Sequence, residues 1–397
     1  MLVLLMVSIF ADRMASLGTE TAFEVLARAK ALERQGKNII HLEIGEPDFD
    51  TPKNIKEAAV KALYDGYTHY VPAAGIPELR EAIAEYISKT RKIPVNPEEV
   101  VVTPGAKPIM FFAILACVER GEEVLYPNPG FPIYESMVNF VGAKPVPIPL
   151  KEENDFRLDH EYVKAKITKK TKMIILNSPE NPTGGVLTRE DLKVIADCIA
   201  NRNDVIVLSD EIYSRIIYEG THESIASLPG MREKTIILDG FSKTYAMTGW
   251  RLGYGVMRKD LAEKITQLMI NSNSCTCAFV QMAGVEALKG PQDSVDKMVA
   301  EFRKRREVIV SGLNNIKGIT CKKPKGAFYV FPNIKGIGKK SKEFSDYLLD
   351  EVGVAVLPGT SFGKYGEGYL RISFANSVEN IKKALDRISK AVEKLKS

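Results

Sequence analysis

The chain is poor in most of what a metal centre, a disulfide scaffold or a nucleotide loop requires. Its 397 residues include only four histidines, all scattered, and no Cys-x-x-Cys, so a zinc site is not expected. The five cysteines, Cys117, Cys198, Cys275, Cys277 and Cys321, are odd in number and widely spaced apart from one Cys-x-Cys. That usage points to a reducing compartment, and a cytoplasmic location is expected. No Gly-x-x-x-x-Gly-Lys-[Ser/Thr] occurs to cradle nucleotide phosphates. The apolar opening, residues 1–10, is too short to span a bilayer and has no basic residue ahead of it. It reads as an early start, with Met6 or Met14 as the alternative initiators, or as an arm packing on a partner. There is no excess of one charge either: 55 Lys and Arg are mixed with 50 Asp and Glu, for a net charge of +5. Without a basic stripe neither nucleic acid nor membrane is expected as a partner, and a small molecule is.

What is present is an ordinary globular composition, 45% apolar and 26% charged, on a chain long enough for two domains. Buried-strand runs at 100–103, 123–126, 172–176, 205–209 and 235–238 alternate with helical patterns. This order predicts an α/β fold with a mostly parallel, doubly wound sheet. Helices are expected over 18–35, over 107–118 with Ile109, Phe112 and Leu115 buried, over 259–268 and 279–289, and over 378–396. Further strands are expected at 39–44, 326–331, 354–357 and 369–374. The division expected is 1–50 as an N-terminal arm and part of a small domain, 51–290 as a large domain, and 291–397 as a C-terminal small domain.

Four strand ends are followed by turn residues that carry chemistry: Gly105, Asn181, Asp210 and Lys243. Open α/β sheets bind ligands at the carboxyl ends of their strands. The richest of these is 238–255, Leu-Asp-Gly-Phe-Ser-Lys-Thr-Tyr-Ala-Met-Thr-Gly-Trp-Arg-Leu-Gly-Tyr-Gly. It brings an amine, Lys243, near a hydroxyl, Ser242, and a guanidinium, Arg251. A lysine can form a Schiff base with an aldehyde, and Ser and Arg can hold phosphate oxygens. Pyridoxal 5'-phosphate meets both requirements. The glycine turn at Gly105 and Ala106, between a strand and a helix, is a further phosphate seat. Lys107 is out of place there, because a cation in the first helical turn is disfavoured; it is either solvated or facing an anion. Each residue alone has a plainer explanation. Lys243 is one of many lysines, Phe131 suits a core, Tyr70 suits packing in a Pro/Gly loop, and Asn181 suits any turn.

Taken together, Gly45-Glu-Pro-Asp-Phe49, Asn177-Ser-Pro-Glu-Asn-Pro-Thr-Gly184, Asp210-Glu-Ile-Tyr213 and the Ser242-Lys243 loop resemble the class I/II pyridoxal-phosphate-dependent aminotransferases of fold type I. The likeness runs from about residue 44 to 375. It implies a seven-stranded-type sheet and a smaller α+β domain built from both chain ends. By this resemblance Lys243 carries the cofactor and moves the Cα proton, Asp210 faces the pyridine nitrogen, and Tyr213 and Asn181 bond the phenolic oxygen. Phe131 stacks on the ring, and Gly105, Ala106, Lys107, Ser242 and Arg251 surround the cofactor. Tyr70 reaches the phosphate in a neighbouring subunit, implying a homodimer with composite sites, and residues 271–277 border that partner's site. Gly45, Phe131, Asn181 and Arg371 meet the substrate, with Arg371 gripping its α-carboxylate. The reaction implied is ping-pong transfer of an amino group from an L-amino acid to 2-oxoglutarate. Lys107, where family members can meet a side-chain carboxylate, favours aspartate as donor. The absence of paired hydroxyls over 20–23 weighs against it. Aromatic amino acids or alanine, or a β-lyase reaction on the same fold, are the alternatives.

Overall fold

The computed structural model describes residues 9–396, so the apolar opening lies outside the described residues except for Ile9 and Phe10, both exposed. Helix α1 (Thr21–Arg34) comes first and ends at Gly36, whose φ of +88° is a left-handed turn that side chains disfavour. Strand β1 (Ile40–His41), helix α2 (Lys53–Tyr64) and helix α3 (Pro77–Arg91) follow. Strands and helices then alternate through β2 (Val100–Thr103), α4 (Lys107–Cys117), β3 (Glu123–Asn128), α5 (Ile133–Phe140), β4 (Lys144–Pro149), α6 (His160–Lys166), β5 (Thr171–Asn177), α7 (Arg189–Ile199) and β6 (Ile206–Asp210). After β7 (Thr235–Gly240) and β8 (Gly253–Val256) come helices α8 (Lys259–Asn273), α9 (Ala278–Lys289) and α10 (Asp293–Asn314). The chain closes with β9 (Tyr329–Val330), α11 (Ser341–Val352), β10 (Val354–Ala355), β11 (Leu357–Pro358), β12 (Leu370–Ser373) and α12 (Val378–Lys396).

Seven of these strands form one sheet in the order β2-β8-β7-β6-β5-β3-β4. The pairs from β7 to β4 are parallel, because a helix or a long crossover joins them, while β8 runs antiparallel to β7 and β2. The sheet is thus the α/β, mostly parallel, doubly wound one expected. Both of its faces are covered, so the strands are apolar at successive positions and sort by period two. Met173 and Ile175 pack with α4, α5 and α8, while Ile174 and Leu176 pack with α6 and α7 on the other face. The edge strand β4 carries Pro145, Pro147 and Pro149. Lys144 donates its amide to Glu122, just before β3, and Leu150 to Asn128 at its end, so the proline positions point away from the ladder, the one side where a missing N–H costs nothing.

The C-terminal strands pack with the start of the chain. Ile40 pairs with Val354, and Ile40 and Leu42 share a core with Phe328, Leu348, Ile372 and Ile388. Several expected elements are trimmed, each for a physical reason. The run at 39–44 is a ladder for only two residues, because Glu43 and Ile44 turn off to deliver Gly45 to Lys243. The run at 354–357 splits in two because β10 joins β1 whereas β11 joins β12. Leu115 of α4 is exposed rather than buried. Three-residue steps drift about 60° around a helix, so 109–112–115 leaves the buried face that Ile109, Met110 and Ala113 share. Helix α8 continues to Asn273, past the expected break at 271: the side chains of Asn271 and Ser272 bond back to the carbonyls of Gln267 and Leu268. No helix among the described residues is long and apolar enough to cross a membrane.

Candidate active site

The loop from β7 to β8 leaves the sheet and returns to it at one point, since Gly240 is paired with Gly253. This register, rather than sequence proximity, puts Ser242 and Lys243 in the same cavity as Arg251. The β2 end meets β8 at the same place, Thr103 opposite Gly253. A Cβ on Gly253 would stand 2.3 Å from the Ala106 amide nitrogen, so the glycine is what lets the Gly105–Ala106 turn settle against β8. A Cβ on Gly105 would stand 2.2 Å from Arg251 Nη2, and Gly105 has a φ of +86°. Arg251 itself donates to the Thr248 carbonyl at 2.8 Å and meets no carboxylate among the described residues within ion-pair distance.

Lys243 Nζ donates to the Gly45 carbonyl. Burial holds its pKa down to about 8 against the pull of Glu46, and Arg371 and Arg251 lower it further. A substantial fraction of this amine is therefore neutral near pH 8. Asp210 ends β6 beside Asn177, which donates to the Asp210 carbonyl at 3.1 Å. Its carboxylate accepts from Tyr134 Oη at 2.6 Å and from the Ile212 amide at 3.2 Å. Burial raises it to about 6, opposed by those two bonds, so it is an anion at neutral pH.

Tyr213 and Tyr329 share a hydrogen bond between hydroxyls at 2.7 Å, and burial holds the Tyr213 phenol well above its ordinary value. The Tyr329 hydroxyl lies so close to Gly45 that a Cβ there would be 2.2 Å from it. Arg371 on β12 is flanked by the rings of Tyr329 and Phe362, at 4.7 and 5.0 Å from their centroids. It donates to Asn181 Oδ1 at 3.3 Å and to the Glu43 carbonyl, while its Nε is buried with no partner.

These groups surround a cavity of about 560 Å³. Every residue expected about the cofactor or substrate lines it except two. Gly105 lies behind Arg251, and Tyr70 is exposed away from the cavity of its own chain. Residues 271–277 do not reach it. Lys107 faces an anion, the carboxylate of Glu20 at the start of α1, and its Nζ is 5.3 Å from the Phe131 ring centroid.

Sequence reasoning assigned no role to Tyr134, Tyr329 or Thr248, all of which line the cavity. Tyr134, three residues beyond Phe131, is in the first turn of α5 and donates its amide to the Phe131 carbonyl just ahead of that helix at 3.2 Å, and their rings are edge to face at 5.6 Å. That spacing was the available signal. Nothing in the sequence announces the buried group beneath the site, where Arg91 donates to Glu211 at 2.7 Å and to Asp239 at 2.8 Å. It ties the end of α3 to the tips of β6 and β7, which carry Asp210 and lead to Lys243.

A family model described as aminotransferase class I and II matches residues 37–388. An aspartate aminotransferase of Pyrococcus horikoshii is 46% identical, over 96% of this chain and 97% of its own. Aromatic-amino-acid aminotransferase 2 of Thermococcus litoralis is 44% identical, over 91% of this chain and 93% of its own. Among solved structures, aspartate aminotransferase from Thermus thermophilus with maleate superimposes with a TM-score of 0.93 at 37% identity, covering 97% of this chain and all of that one (100%).

Proposed function

The chain belongs to the class I and II aminotransferases, and from that premise we propose that it moves an amino group from an L-amino acid, aspartate foremost, to 2-oxoglutarate, using pyridoxal 5'-phosphate held on Lys243. The observation that carries the reading is one cavity in which a half-buried amine shares space with two guanidinium groups, Arg251 and Arg371, neither of them matched by a carboxylate among the described residues.

The residues fit that cofactor. Gly105 leaves beside Arg251 the space that a Cβ would fill, and Ser242 together with the first turn of α4 completes a phosphate site there. Asp210, anionic above about pH 6, suits a pyridinium nitrogen, and Tyr213 and Asn181 suit the phenolic oxygen. When bound, the cofactor supplies an aldehyde for the amino group and a ring that takes up the electron pair left at Cα. The chain does the rest. Lys243 Nζ, neutral in part near pH 8, takes the proton from Cα and later returns one. Arg371 and Asn181 orient the α-carboxylate, and the unpartnered Nε of Arg371 has a donor to spare for it. Phe131 closes one side against water. The two half-reactions share these groups, which predicts ping-pong kinetics.

Aspartate is proposed because Lys107 lines the cavity mouth with its ammonium over the Phe131 ring, and because relatives named for aspartate use cover nearly the whole chain. Aromatic donors are the second reading, favoured by Phe23, Phe131 and Phe362 on the cavity wall. An amino-donor screen with 2-oxoglutarate on the purified protein tests both. Lys107→Ala is expected to raise KM for aspartate about 10- to 100-fold, the worth of one charge-assisted hydrogen bond, while KM for alanine and phenylalanine stays close to its original value. Equal effects on all three donors would dismiss aspartate.

The same reading takes the active form to be a homodimer in which Tyr70, 89% exposed in the single chain, completes a partner's phosphate site. It also divides the chain near residues 50 and 290, supported by the core that Ile40 and Leu42 share with the C-terminal strands. Sedimentation of the holoenzyme as a dimer, with weaker cofactor retention in Tyr70→Phe, is the expected result.

A further inference from the structure

Glu20 is the first residue before α1, where the helix dipole favours an anion, yet its side chain makes no capping bond. It reaches instead into the mouth of the cavity and pairs with Lys107. The carboxylate is mostly covered, at 18% exposure, while the lysine is 46% exposed. Its field extends inward: burial lowers the pKa of Lys243 and of Arg371, and Glu20 opposes a small part of that lowering. The cation assigned to a substrate's second carboxylate is therefore occupied by one of the chain's own carboxylates. No sequence pattern joins the two residues, which are 87 positions apart.

We propose that Glu20 is a specificity-determining residue: an internal carboxylate that occupies Lys107 in the empty site and that a dicarboxylic substrate must displace, whereas a substrate with an uncharged side chain leaves it in place. The inference rests on the reading that Lys107 receives the distal carboxylate. Two carboxylates cannot both have the single ammonium at full strength, and like charges brought together repel. A dicarboxylate thus gives up part of its attraction to Lys107 in displacing Glu20. An aromatic or aliphatic side chain meets a neutralised pair beside the Phe131 ring. Glu20 narrows the preference between acidic and non-acidic ligands, so one cavity can accept both.

The test is equilibrium binding of succinate and of butanoate, a dicarboxylate and a monocarboxylate of equal length, to the cofactor-loaded enzyme. Wild type, Glu20→Gln, Lys107→Ala and the double variant are compared. Glu20→Gln is expected to tighten succinate about fivefold, the scale of a partly exposed ion pair, with butanoate unchanged. In the Lys107→Ala background the same change is expected to tighten succinate by less, since only the repulsion between the two carboxylates is then relieved. KM for aspartate should fall in Glu20→Gln while kcat holds. If Lys107→Ala weakens succinate selectively but Glu20→Gln leaves the succinate-to-butanoate ratio as it was, or weakens both ligands alike, Glu20 is a structural residue and the proposal is overturned alone. If Lys107→Ala does not weaken succinate selectively, the distal-carboxylate reading falls and takes this inference with it.

Discussion

Lys243→Ala is expected to lower kcat by at least about 10⁴-fold, the upper range for a positioned proton-transfer group, because the same nitrogen is also the cofactor's covalent anchor. Cofactor added to this variant should give no lysine-bound chromophore, and borohydride should add no mass to the peptide carrying position 243. Lys243→Arg should fail equally. It keeps the cation but has no accessible neutral form, so parity between the two variants assigns the loss to nucleophilicity rather than to charge. The wild-type protein adds a pH signature. Only the neutral amine attacks an aldehyde, and burial brings Lys243 from the ordinary lysine value of 10.5 to about 8. At pH 8 about half of it is neutral, where an ordinary lysine would be neutral to only about 0.3%. The rate of chromophore formation should therefore climb with pH and level off above about 8. A rate still climbing steeply at pH 10 would mean that the amine is not desolvated as described. A Lys243→Ala variant that retained turnover would end the proposed mechanism.

How much of this site could be read in advance depends on whether the chain's periodicity or its long-range closure set the position. Strand-tip residues were legible: a buried run must end in a turn, and a parallel sheet aligns those ends, so Asn181, Asp210 and Lys243 reach one cavity by topology, with Gly105 behind Arg251. The pairing of Lys243 with Arg251 was half legible. Their closeness in sequence was visible, but the Gly240–Gly253 register that closes the loop was not. Contacts between distant segments had no local signature. Tyr329 against Gly45, Arg91 against Glu211 and Asp239, and Glu20 against Lys107 all depend on where loops and helices stop. Helix α8 runs longer than its sequence suggests because Asn271 and Ser272, residue types that favour turns, here satisfy carbonyls of the preceding turn.

Arg371→Leu is expected to lower kcat/KM by about 10²- to 10⁴-fold, from the loss of two charge-assisted hydrogen bonds worth roughly 1.5–3 kcal/mol each. The geometry says why lysine cannot replace it. The guanidinium is held between Tyr329 and Phe362, so its plane is set by two rings, with Nη1 committed to Asn181 and Nη2 to the Glu43 carbonyl. Arg371→Lys keeps the charge but not the fork and should recover only a minor part of the loss. Stability separates this from a merely structural arginine. A buried guanidinium that meets no carboxylate is a cost to the fold, and burial accordingly pushes its pKa below the ordinary value. Replacing it with leucine removes that cost and forfeits two bonds to neutral oxygens, so the unfolding free energy should change by less than about 1 kcal/mol. Activity collapsing while Tm holds marks a group retained for what it binds. A Leu variant that lost several kcal/mol of stability, or that kept its kcat/KM, would show instead that Arg371 holds β12 to the loop at Asn181 and that the α-carboxylate is gripped elsewhere.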